Sequence, residues 1–269
     1  MGDLPNELVQ FGPMITEPLF YVVAIPAIIL TGISKGGLAG GIGLIAVPAL
    51  ALVIPPVQAA GIMLPILIAM DMMGVWAYRD KWDKTNLFLL LPGAVIGVAI
   101  GTLLAGTVRD DHVRLLVGTV ALLFVLRHWT ARWHDPDASK PAIAPSRLRG
   151  TFWGAIGGFT SFVAHAGSPP FQVYMLPQKP DKTIYVGTSV VFFTALNLIK
   201  LPPYAFLGQL APGNLTTSLV LLPVALIGMF AGIKLHHVIP EAPFFRVAYI
   251  LIFVVSLKLI YDGLSAFFI

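Results

Sequence analysis

A lysine among glycines stands inside an apolar run: Gly32-Ile33-Ser34-Lys35-Gly36-Gly37-Leu38-Ala39-Gly40-Gly41. At mid-membrane its charge costs about 2.5–3.5 kcal/mol on insertion scales. The glycines weaken a helix at the same place, and a broken helix leaves backbone N–H and C=O groups without partners. Both costs fall if the break lines a polar cavity that binds something. An anion suits an ammonium beside free N–H groups. A second such stretch, residues 157–170, carries hydroxyls on Thr160, Ser161 and Ser168 and an imidazole on His165. Pro169 and Pro170 sit where a new helix can begin.

The two breaks nominate Ser34, Lys35, Gly36, Gly37, Thr160, Ser161, His165, Gly167 and Ser168 as substrate-binding groups, with Gln172 and Asn197 as polar liners. Taken alone, each hydroxyl has a plainer reading, bonded back to its own helix. Asp71 has several readings: it bonds unwound backbone, pairs with Lys35, carries a proton, or forms a structural salt bridge near the surface. Asp71 and His165 are thus the proton-coupling candidates. Lys200, near the outer end of its segment, reads as snorkelling. His236 and His237 read as solvated, and Trp76, Tyr78, Trp82, Trp129 and Trp133 as an interfacial belt. The sequence has no H-E-x-x-H, no G-x-S-x-G, no P-loop and no metal-ligand cluster. It therefore predicts no enzyme, no cofactor and no metal.

The elements that must position these groups are apolar. The chain has 269 residues, 57% hydrophobic and 11% charged, against about 25% charged in a soluble domain. Mean hydropathy is +0.85. This predicts an all-α polytopic membrane protein whose surroundings are lipid. A net charge of +4 does not point to nucleic acid, because Lys and Arg mark the cytoplasmic side of membrane proteins. The lack of cysteine excludes disulfides and thiol chemistry. No Lys or Arg occurs before residue 19, which predicts no signal peptide.

Ten apolar segments can be marked, at 19–34, 37–54, 57–78, 86–106, 112–130, 150–164, 167–178, 183–204, 215–235 and 244–266. About 20 residues span a bilayer. The first, second, sixth and seventh are shorter. They read either as tilted spans or as arms of re-entrant hairpins. Most basic residues outside the segments follow the third, fifth, seventh and ninth. Arg109 and Arg114 lie on the other side, accompanied by Asp110 and Asp111. The charge rule then puts both termini outside. Proline-containing residues 131–148 read as a cytoplasmic linker inside a single transporter domain, 1–269. A first repeat would cover about 19–130 and a second about 149–269.

A shift of 126 pairs Gly32 with Gly158, Ser34 with Thr160, Gly61 with Gly187 and Asp71 with Asn197. A shift of 131 pairs Gly97 with Gly228 and Gly101 with Gly232, two matching G-x-x-x-G spacings. Five segments per half is an odd number, so the second half enters the membrane inverted. Inverted repeats with paired broken helices are a transporter design, with substrate bound at the repeat interface.

The stretch G-x-S-K-G-G-x-x-G-G-x-G at 32–43 resembles the TauE/SafE sulfite exporter family, also called the 4-toluene sulfonate uptake permease family. So do Pro48, the P-x-x-x-A-A-G of Pro55, Ala59, Ala60 and Gly61, and the half-length repeat. The resemblance implies a secondary transporter of the bacterial inner membrane. Its substrates would be sulfite, organosulfonates such as sulfoacetate, or related small sulfur-containing anions, moved by alternating access. An anion channel of the same architecture, or an intramembrane enzyme, is the alternative. The sequence leaves room for a homo-oligomer.

Overall fold

The computed structural model describes residues 14–37, 45–105, 109–133, 142–235 and 241–266. Among them the secondary structure is helical. The helices are α1 (Pro18–Gly37), α2 (Ala46–Leu50), α3 (Pro56–Ala77), α4 (Lys84–Ala105), α5 (Asp110–Trp133), α6 (Arg147–Ala164), α7 (Ser168–Met175), α8 (Lys182–Phe206), α9 (Pro212–Leu235) and α10 (Glu241–Ser265). A 3-10 turn, Leu176–Gln178, follows α7. Helices α1, α3, α4, α8 and α9 are each long and apolar enough to cross a membrane. Apolar side chains such as Leu103, Leu219, Ile227 and Phe230 point outward, while Thr31, Asp71, Asn197 and Lys200 are buried. Apolar side chains facing outward around a polar centre fit a lipid surrounding.

Local sequence sets the ends. Pro56 opens α3, and Asp181 caps α8 by accepting from the N–H groups of Thr183 and Ile184. Those two donors hold the exposed Asp181 carboxyl below the usual carboxylate range. The end of α6 is His165, with φ 51° in the left-handed region. There the His165 N–H reaches Ser161 O and the Ala166 N–H reaches Thr160 O.

The strongest packing joins helices far apart in sequence. α1 lies on α9, α4 on α6, α5 on α10, and α3 on both α8 and α9. Glycine allows the first two pairs to close. A Cβ on Gly32 would stand 2.7 Å from Met229 N, and one on Gly36 2.5 Å from Met229 O. On the other side, Gly228 and Gly232 meet the backbone of Ile29 and Ile33. The same seam recurs where Gly93 and Gly97 meet Thr151 and Ala155, and Gly154 and Gly158 meet Leu90 and Ala94.

α1 runs through Lys35 and ends at Gly37, inside the stretch Gly32–Gly41 where the sequence predicts a break, and at 20 residues it is no short arm. Gly32 and Gly36 serve helix contact, because small residues bring backbones together more than they disrupt them here. Residues 38–41 of the expected break lie outside the described residues, as do 134–141 of the expected linker and His236 and His237. The second break is present, since α6 stops at Ala164 and α7 begins at Ser168. Tyr78 does not join an interfacial belt. It is buried, and its hydroxyl donates to Gly36 O at 3.0 Å.

Candidate functional site

Lys35, in the last turn of α1, extends toward α3 and meets Asp71, with Nζ 2.6 Å from Oδ1. The other carboxylate oxygen accepts from Asn197 Nδ2 of α8, also at 2.6 Å. Asp71 is fully buried, so both oxygens exchange water for a charged and a neutral donor. The pair with Lys35, one of the readings open in the sequence, is formed. It lies in the core and not near the surface. Lys35 also sits 5.9 Å from the Phe193 ring centroid, within cation–π range.

The end of α6 supplies the facing wall. Its last carbonyls find donors from α8: Lys200 Nζ reaches Ser161 O at 3.1 Å, and Tyr204 OH donates to Phe162 O at 2.5 Å. The left-handed turn at His165 swings its ring toward α3, where Nε2 lies 2.9 Å from Ala60 O. Pro65 within α3 removes one N–H from the ladder, and carbonyls a turn earlier take side-chain donors. Ala60 O meets His165, and Ile62 O accepts from Ser218.

Between these groups lies a partly open cavity of about 70 Å³. It follows α8 from Tyr185 to Asn197. Its polar lining is Ser34, Lys35, Ser161, His165, Ser168, Gln172, Ser189 and Asn197. Leu67, Phe171, Tyr185, Val186, Val190 and Phe193 form the apolar side. The Ser168 hydroxyl is buried with no hydrogen-bond partner among the described residues, an open donor on the cavity wall.

Seven of the residues named from sequence meet here: Ser34, Lys35, Ser161, His165, Ser168, Gln172 and Asn197. Others stand elsewhere. Thr160 bonds back to Ile156 O, the plainer reading of a helical threonine. Gly36 faces α9, and Gly37 ends α1 without lining the cavity. Gly167 caps α7 behind the wall, wedged against Gly157 O and Ser161. Two positions were missed. Ser189 carried no signal beyond a hydroxyl in an apolar helix. Lys200 was expected to snorkel and is instead fully buried, with its ammonium on Ser161 and His165. No cluster able to hold a metal occurs among the described residues.

Apolar spans around a charged, partly open cavity define a multi-pass membrane protein with an internal polar site. The description Sulfite exporter TauE/SafE matches residues 24–259, most of the chain. The protein belongs to that family of membrane transporters. The chain matches no curated protein and no solved structure.

Proposed function

We propose that this protein is a secondary transporter that exports small sulfur-containing anions, sulfite or organosulfonates such as sulfoacetate, by alternating access. The observation that carries the reading is the cavity, whose walls come from both halves of the chain. Lys35 and Ser34 come from the first; Ser161, His165, Ser168, Gln172 and Asn197 come from the second. An ammonium, several hydroxyls and an amide can replace the hydration of an oxyanion. Asp71 and His165 are the proposed proton-coupling groups.

The halves, about 19–130 and 149–269, are proposed to be inverted repeats. In support, the bond from Tyr78 OH to Gly36 O recurs as Tyr204 OH to Phe162 O, 126 positions on at both ends. The α1–α9 and α6–α4 seams correspond in the same way. The cavity runs along α8 between Tyr185 and Asn197, and His165 bonds Ala60 O and Tyr204 bonds Phe162 O. We place it in a bacterial inner membrane with both termini periplasmic.

The test is flux in proteoliposomes against sulfite, sulfoacetate, taurine, sulfate and acetate. Saturable flux of a sulfur anion, accelerated by the same anion on the far side, is expected. Flux that never saturates and shows no trans-stimulation would mean a channel. No flux of any sulfur anion would remove the reading.

A further inference from the structure

The charges around the cavity do not cancel. Lys35 and Asp71 neutralise each other across 2.6 Å. Lys200, fully buried, makes no ion pair among the described residues. Its Nζ meets three acceptors: Ser161 O and Ser161 Oγ, each at 3.1 Å, and His165 Nδ1 at 2.6 Å. An ammonium has three hydrogens, so this set completes it.

The geometry also limits the charge of the pair. His165 Nε2 faces Ala60 O, and a carbonyl only accepts, so Nε2 carries a hydrogen. Nδ1 and Nζ then have room for one proton between them. Protonating both would set N–H against N–H across 2.6 Å. Lys200 and His165 together hold at most one positive charge.

Lys200 does not itself line the cavity. Ser161 and His165, which do, stand between it and the open space. Lys35 and Asp71 are the other charged groups near enough to act on it, and the Tyr204 ring centroid lies 6.0 Å from Nζ. The carbonyl end of α6 compensates a buried ammonium only in part. An anion in the cavity completes the balance.

We propose that Lys200 is a specificity-determining residue that acts through His165. The single proton shared by the two leaves the cavity with one positive charge in excess. The cavity therefore takes a singly charged oxyanion in preference to a doubly charged one of the same shape, which among the proposed substrates favours hydrogensulfite and monosulfonates over the doubly charged sulfoacetate. A second negative charge would stand uncompensated where the surroundings screen it poorly. The proposal rests on the anion-transport reading above.

Methanesulfonate and sulfate are suitable probes, because both present oxygens on tetrahedral sulfur and they differ by one charge. Calorimetry on the purified full chain in detergent, at pH 7 and matched ionic strength, measures both. The wild type should bind methanesulfonate about tenfold or more tighter than sulfate. Lys200→Met should weaken methanesulfonate by about tenfold or more. Asp71→Asn, which releases the charge of Lys35, should move the preference about tenfold toward sulfate. A purely structural Lys200 would change thermal stability and leave the affinities as they were. If Lys200→Met does not fold, the wild-type ratio and its change in Asp71→Asn decide. Equal affinities in the wild type, or an unchanged ratio in Asp71→Asn, would overturn the proposal and leave the transport reading standing. Binding of neither probe would overturn it too, and proteoliposome flux of other sulfur anions then tells whether the transport reading falls with it.

Discussion

Asp71 receives one donor on each oxygen, Lys35 from α1 and Asn197 from α8. Removing the lysine would strand a buried carboxylate, which costs about 3–5 kcal/mol in comparable pairs. Lys35→Met should accordingly lower the unfolding temperature in detergent, and adding Asp71→Asn should recover most of the loss. A double variant no more stable than Lys35→Met would mean that the two charges are not coupled. The three residues were legible from sequence because a polar side chain deep in an apolar segment has few places to go. Lys200 was not. A lysine near the end of a span has the same sequence context whether it reaches outward or folds back. Here the carbonyl end of α6 attracts it inward, with Ser161 O accepting from Lys200 as well as from the His165 N–H where α6 stops.

At the scale of elements, the glycine spacings were legible and their purpose was half legible. The G-x-x-x-G pairs at Gly97 and Gly101 and at Gly228 and Gly232 announced close packing, and α4 packs closely on α6 and α9 on α1. The glycines of α1 were read only as weakening a helix, because flexibility and closeness share one residue type. Two neighbours in α6 separate these roles. A Cβ on Gly158 would fall on the Ala94 carbonyl, whereas one on Gly157 has its nearest neighbour, Gly167 O, at 3.6 Å. Gly157→Ala should be neutral or stabilising by up to about 1 kcal/mol, from helix propensity. Gly158→Ala should force α6 from α4 and reduce folded yield on size-exclusion chromatography. Equal behaviour of the two variants would show that the seam is not closed by glycine.

For the whole molecule, the uneven distribution of Lys and Arg argues for one orientation. The chain has no cysteine, so single reporters can be placed without background. Ala144 and Glu17 are both exposed. In intact cells an impermeant maleimide should label Glu17→Cys and spare Ala144→Cys. The reverse pattern would turn the protein over in the membrane. The seams between helices carry a further consequence, which concerns time. α1 is made early, yet the partner for its glycine face is α9, almost two hundred residues later. α4 waits for α6, and α5 for α10. During synthesis the first five helices sit in the bilayer with their contact faces against lipid or a holding factor. The last two helices then complete the bundle. A ribosome that stalls before residue 212 would release a chain whose hydrophobicity suffices for insertion but whose α1 and α5 faces have nothing to close on, a natural substrate for membrane quality control.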